Sequence, residues 1–434
     1  MRRLPCKQLQ REPSRCSITH KKIFHSEAAP VAVEAAASPA LLPKDSAPGP
    51  GGGRLVSLDV LRGATIAAMI LVNNPGSWEH IYWPLEHAEW NGWTPTDLIF
   101  PLFLFIVGVA MTFSFAARLN RGVGRGRLAW HVFTRSVILF AIGLFLNAFP
   151  EFSWHTLRFM GVLQRIGICY LAAGLLYLAT WRVEALPHGS KHAKSNWEVI
   201  AGCAVVLLVG YWAALKFVPV PGYGVGRLDP EGNLGAFIDR KIMGGHLWAQ
   251  SVTWDPEGLL STLPAISTAL LGILTGEWLR SARSGPRKAA WLAAVGAVLL
   301  VAGRLLHPFF PINKNLWTST FVIFTGGFAM LLLAACYWLV DLKGYRRWAA
   351  PFLVFGRNAI AVYFFSMLLV EIAITYGFHD SDGDFQTWYD WFYDTLFVPH
   401  ASPKNASLAF AIFYVLLWLA LMWPLDRKRI YFRV

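Results

Sequence analysis

Runs of about twenty apolar residues, each nearly free of charge, follow one another along most of this chain. A helix of that length matches the hydrocarbon thickness of a bilayer. Lipid offers no water to backbone N–H and C=O groups, so a spanning segment must close its hydrogen bonds within itself. The apolar residues recur at helical spacing, which argues against barrel strands, where hydrophobicity alternates over about ten residues. The stretches 58–74, 95–117, 128–149, 157–181, 197–218, 257–280, 288–307, 316–340, 348–376 and 406–425 are the predicted helices. The fold class is therefore all-α, a polytopic transmembrane bundle of about ten helices. No sustained internal repeat is visible, which weighs against transporter folds built from duplicated halves.

Composition agrees. The chain is 55% hydrophobic and only 15% charged, against about 45–50% and about 25% in soluble proteins. That leaves too little polar surface to cover a water-soluble particle. The 20 Trp suit aromatic belts at two lipid interfaces. A net charge of +13 in a soluble chain would suggest nucleic acid, but here the basic residues sort by loop, and no nucleic-acid partner is expected. Loops 118–127, 182–196, 280–288, 341–347 and 426–434 hold 18 Lys and Arg, whereas 75–94, 150–156, 219–256, 308–315 and 377–405 hold five. The positive-inside rule then predicts the first set, and both termini, to be cytoplasmic. Cys6, Cys16, Cys169, Cys203 and Cys336 show neither metal-ligand spacing nor a disulfide framework, so no metal is expected. Residues 1–53 are rich in Ala, Pro, Ser and Gly, with no apolar run long enough for a secretory signal. They read as a disordered tail before a membrane domain at 54–434.

Polar chemistry is confined to a few places. Asp59 and Arg62 stand at i,i+3 on the first helix, as an internal ion pair or as a ligand contact. Asn73 falls at the stop signal Asn73-Asn74-Pro75-Gly76. The segment from Pro84 to Asp97 is aromatic and dense in titratable groups. Its His87 is either a packed interfacial residue or a general base working near neutral pH. Asp97 opens the second helix, where a carboxylate caps the helix or serves catalysis. Gln164 and Arg165 lie inside an apolar run, and a buried Arg there calls for a carboxylate or a ligand phosphate. The Arg121–Arg127 turn fits the short Arg-x-x-Gly-x-Gly pattern of some CoA sites, but without the strand-to-helix context it reads as a basic turn. Asn313-Lys314-Asn315 and Trp317 occupy a Pro-containing outward loop, as substrate contacts or helix terminators.

Taken in order, Ser57-Leu58-Asp59, Arg62-Gly63, Val72-Asn73, His87-Ala88-x-Trp90-Asn91-Gly92, Thr96-Asp97-Leu98-Ile99-Phe100-Pro101, Gly161-Val162-Leu163-Gln164-Arg165, Asp255-Pro256-Glu257-Gly258, Leu316-Trp317 and Asp341-Leu342-Lys343-Gly344 resemble the heparan-α-glucosaminide N-acetyltransferase family. The similarity runs from about Arg54 to the last span, as in a short, bacterial-type form lacking the lumenal domain, expected in the inner membrane. The resemblance implies an acyltransferase that moves acetyl from cytosolic acetyl-CoA to an amino sugar or related glycan outside. It implies His87 as the catalytic residue, with Asn73 at the Val-Asn motif, and three extra residues separate these two compared with the lysosomal form. Asp97 is a further catalytic candidate. Arg62, Arg165 and Gln164 are expected on the acetyl-CoA side, and Trp90, Asn91, Lys314 and Trp317 on the saccharide side. Neutral imidazole can deprotonate the acceptor, or it can carry the acetyl group itself. The competing expectation is a transporter of a small anion or lipid-linked sugar. A homodimer is compatible with either.

Overall fold

A computed structural model describes residues 55–185, 191–379 and 383–432. The expected tail at 1–53 lies outside the described residues, as do Cys6 and Cys16. The helices are α1 (Val56–Asn73), α2 (Ile99–Asn120), α3 (Arg125–Ala148), α4 (Val162–Ala179), α5 (Trp197–Phe217), α6 (Leu234–Met243), α7 (Thr262–Arg280), α8 (Gly285–Leu306), α9 (Ser319–Cys336), α10 (Ala350–Arg357), α11 (Ala359–Thr375), α12 (Trp388–Leu396) and α13 (Pro403–Arg427). Two short antiparallel hairpins, β1 (Trp181–Ala185) with β2 (Lys191–Ser195) and β3 (Gly377–His379) with β4 (Phe385–Thr387), sit in loops.

Among the described residues nine helices are long and apolar enough to cross a membrane, or ten if the bent pair Arg347–Arg357 and Ala359–Thr375 is one span. That pair is the stretch 348–376, read from sequence as one helix. It turns by 73° at Asn358, whose side chain donates to the Ile430 carbonyl (3.2 Å) and accepts from the Phe432 N–H (3.0 Å). The fourth and sixth stretches also start later than the sequence suggests, at Val162 and Thr262. Arg158 and Glu257, placed in helices by apolar periodicity, are therefore loop residues.

α2 and α7 form the centre. Their spans are 72% and 67% buried, against 22% for α5 and α8, which face lipid. Glycine sets how closely they approach: a Cβ on Gly108 would strike the Ala269 carbonyl, and one on Gly272 the Phe105 carbonyl. Small residues at such crossings let backbones meet in lipid, where no hydrophobic force drives helices together. Gly63 and Gly356 do the same for α1 and α10, and that contact lets Arg62 Nη1 donate to the Gly356 carbonyl (3.1 Å).

Alternate loops meet at each end of the bundle. At one end Trp90 Nε1 donates to the Leu228 carbonyl (2.8 Å), Gly92 N–H to the Ile312 carbonyl (2.8 Å) and Tyr389 Oη to the Pro75 carbonyl (2.6 Å). At the other, Asp341 accepts from the Val56 and Ser57 N–H groups, and Arg357 pairs with Asp426. The second is the end rich in Lys and Arg.

Candidate active site

The segment Thr94-Pro95-Thr96-Asp97 builds a capping box. Thr94 and Asp97 satisfy each other's backbone N–H groups, and Pro95 occupies the first helical turn, where its missing N–H is no loss. The carboxylate then has two tasks, one for each oxygen. Asp97 Oδ2 accepts from the Thr94 N–H (3.0 Å) and the Ala88 N–H (3.1 Å). Oδ1 lies 2.7 Å from His87 Nδ1. Capping and catalysis, set against each other by the sequence, are both compatible with this one side chain. Asp97 is almost fully buried while the imidazole is half-exposed. An ionised carboxylate only accepts, so the proton sits on Nδ1 and Nε2 carries the lone pair.

Lys314 completes the cluster. Its Nζ is 3.0 Å from His87 Nδ1, 3.2 Å from Nε2 and 3.6 Å from Asp97 Oδ1. Burial pulls the ammonium below its usual range, opposed by Asp97 and Glu257. The loop presenting it is tightly built. Asn313 Oδ1 accepts from the Leu316 N–H (2.8 Å), Asn313 Nδ2 donates to Asn91 Oδ1 (3.1 Å), and Lys314 O accepts from the Trp317 N–H (2.9 Å). Trp317 adopts a φ of 49°, a left-handed conformation that costs a bulky residue about 1–3 kcal/mol and persists only where its surroundings impose it.

Behind this lies a buried charge network. Arg158 holds Asp255 with two bonds (2.8 and 2.6 Å) and Glu257 with a third (2.6 Å). Burial raises the Glu257 carboxyl, but Arg158, Arg165 and Lys314 together hold it below its usual range. Arg165 donates to the Gly258 carbonyl (3.1 Å) and to Ser261 Oγ, and lies over the Trp317 ring at 5.1 Å. Asp239 accepts from the Leu259 N–H (2.9 Å). Burial pushes its carboxyl up to about 7, with Asp255 adding to the rise and the Leu259 N–H, Arg165 and Arg240 opposing it. Since the folded state binds this proton more tightly than the unfolded chain, Asp239 contributes stability that is complete below about pH 4 and is lost as pH rises through about 7. In detergent, Asp239→Asn is expected to remove this component, gaining about 2–4 kcal/mol on the wild type between pH 5 and 8. Paired thermal melts across that range check it; parallel curves would contradict it.

A cavity of about 430 Å³ opens elsewhere in the bundle, between α1, α2, α3, α4, α10 and α11. Arg62, Arg118, Arg135 and Arg357 line it, with Met69, Phe103 and Leu163 further along. Arg62 and Arg357 lie toward the basic end. Phe103 is six residues past Asp97, roughly 9 Å along a helix. Arg135 lies over Tyr170 at 5.0 Å, and its Nε is buried without a hydrogen-bond partner.

Sequence reasoning named His87, Asp97 and Lys314 separately, and the structure brings them together. Trp90 and Asn91 flank them, Trp90 edge-on to Trp254 at 5.0 Å. Trp317, expected to touch substrate, is 0% exposed and serves as the wall under Arg165. Gln164 and Arg165, expected on the donor side, are buried but do not line the cavity; Arg62 does. Asn73 ends α1, with no hydrogen bond to His87 among the described residues. Arg118, Arg135 and Arg357 went unnamed as site residues. The signal for Arg135 was the one used for Arg165, an arginine inside an apolar run.

Fold and site together define a polytopic α-helical membrane protein with an aspartate-held histidine at one end and an arginine-lined cavity approaching from the other. Residues 54–216 match the family model described as heparan-α-glucosaminide N-acetyltransferase, catalytic. The chain is 32% identical over 352 residues to heparan-α-glucosaminide N-acetyltransferase of Mus musculus, covering 71% of this chain and 53% of that protein. It is equally similar to the Homo sapiens protein, covering 52% of its length. The chain is thus a relative of the heparan-α-glucosaminide N-acetyltransferases, spanning about half the length of the curated relatives it matches.

Proposed function

We propose that this protein is a membrane-bound acetyltransferase that moves acetyl from cytosolic acetyl-CoA to an amino sugar or related glycan on the opposite side of the membrane. The observation that carries the reading is the pairing of His87 with buried Asp97 at one end and a cavity lined by four arginines reaching toward it from the other. Guanidinium groups match the phosphates of CoA. The apolar stretch beyond them suits a pantetheine arm, which would bring the thioester to the far side without CoA crossing.

At the thioester, Nε2 of His87 takes a proton from the acceptor ammonium or hydroxyl, because only the uncharged acceptor is a nucleophile. The acceptor's freed electron pair attacks the carbonyl carbon and the C–S bond breaks; CoA leaves as thiolate from a hydroxyl acceptor, whereas with an amine the departing sulfur takes up the remaining N–H proton and leaves as thiol. Asp97 keeps the ring in the tautomer that leaves Nε2 unprotonated and stabilises the imidazolium. The acetyl group passes directly to the acceptor, and acetyl-His87 trapped after acetyl-CoA alone would replace that route with a two-step one.

The test is transfer of labelled acetyl in proteoliposomes, donor on the basic side and a glucosamine-terminated oligosaccharide on the other. Label is expected on the sugar. Anion or sugar counterflow without transfer would point to a transporter instead.

A further inference from the structure

The geometry points to Lys314 as a second catalytic group, the electrophile that holds the oxyanion when the acceptor attacks the acyl donor. The inference rests on the acetyltransferase reading and deepens it at the same site. The Lys314 ammonium faces both ring nitrogens of His87, at 3.0 and 3.2 Å. A base and an oxyanion donor must both lie about 3 Å from one place where the reacting carbonyl sits. Nε2 and Nζ are the pair that satisfies this. An acceptor nitrogen bound at Nε2 brings the carbonyl under attack beside Nζ.

Several other donors nearby are engaged. The Ala88 and Thr94 N–H groups are held by Asp97 Oδ2. Arg158 is committed to Asp255 and Glu257. Arg165 bonds Gly258 and Ser261 through Nη2 and lies over Trp317, with its Nε and Nη1 buried in that wall. Lys314 also meets the requirement for preorganisation. Its loop is pinned by fully buried Asn313, clipped to Asn91 of the His87 segment, and held through the positive φ of Trp317. A donor fixed in place before the reaction has little reorganisation left to do when negative charge develops.

The step balances without a further reactant. The acceptor's electron pair forms the new bond to the carbonyl carbon, and the C=O π pair moves to oxygen. Lys314 hydrogen-bonds that oxygen and keeps its proton. His87 Nε2 holds the proton taken from the acceptor, and collapse restores C=O and expels the sulfur, which takes up the remaining N–H proton where the acceptor is an amine.

The experiment compares wild type, Lys314→Met, Lys314→Gln and Lys314→Arg, each full-length in proteoliposomes. The readouts are kcat, both KM values, the thermal shift caused by CoA, and mass spectrometry of the protein after acetyl-CoA alone. Removing one oxyanion donor typically lowers kcat about 100–1,000-fold. Lys314→Met and Lys314→Gln are expected to lose that much kcat, with both KM values within about threefold and the CoA shift intact. Lys314→Arg is expected to recover about tenfold of the loss. A loss confined to the acceptor KM would make Lys314 a binding residue and overturn the proposal. So would near-normal kcat in Lys314→Met or Lys314→Gln, or acetyl found on Lys314 itself. If the wild type transfers no acetyl, the parent reading fails and this one with it. If wild type and both neutral variants transfer with similar kcat, the acetyltransferase reading stands and only the lysine role falls.

Discussion

His87→Ala is expected to lower acetyl transfer by about a thousandfold or more while leaving CoA binding intact. The size follows from what the side chain does. A positioned general base contributes roughly 10²–10⁴ in rate, and here no second imidazole touches Asp97 or Lys314 among the described residues. The cavity residues that would hold the donor belong to other elements, so a CoA-induced thermal shift should survive. Asp97→Asn is the sharper companion. Asparagine can still accept the Ala88 and Thr94 N–H groups, so the cap at the start of α2 persists. Its amide would face Nδ1 as a donor, forcing the ring proton to Nε2, where it blocks the base. In serine-protease triads the equivalent change costs about 10⁴ in kcat with the geometry intact. A loss of about 10²–10⁴ is expected here, with thermal stability close to wild type. Near-normal kcat in Asp97→Asn would reduce Asp97 to a helix cap.

The bundle was legible because lipid leaves a chain few options. Length and hydropathy alone place all ten stretches, since only helices satisfy their own backbone in hydrocarbon. Where the reading slipped, another interaction outweighed periodicity. The bend at Asn358 depends on a side chain that bonds residues beyond α13, a partner no local window contains. Arg158 and Glu257 looked helical because apolar residues surround them, yet each is claimed by an ion pair about a hundred residues away. The site shows the same division. Asp97 as a cap could be read from Thr94-Pro95-Thr96-Asp97, a pattern within four positions. Its pairing with His87, ten residues away, required the loop between them to fold back. The approach of Lys314, 227 residues from His87, is set by loop packing at one end of the bundle and leaves no trace in spacing. Loop charge supplied an orientation, and the arginines lining the cavity give the basic end a chemical use in the proposed reaction.

Met69→Trp and Leu163→Trp are expected to cut kcat at saturating acetyl-CoA by about a hundredfold or more without weakening CoA binding. Both residues line the apolar part of the cavity, away from Arg357, and an indole there fills space the pantetheine arm needs. The thioester would then stop short of His87, and a misplacement of about 1 Å can already cost about 10² in rate. Arg118→Gln and Arg135→Gln should fail in the opposite way. A hydrogen bond to a charged group is worth about 1.5–3 kcal/mol, so each should raise the KM for acetyl-CoA about 10- to 150-fold and make it less sensitive to salt, with kcat nearly unchanged. Truncated donors separate the two classes further. Acetyl-pantetheine lacks the nucleotide phosphates, so it should lose affinity for the wild type but be indifferent to the arginine variants, while remaining blocked by either tryptophan. A reaction that did not pass through the bundle would show none of this crossing pattern. Undiminished transfer in both tryptophan variants would require the acetyl group to reach His87 by another path.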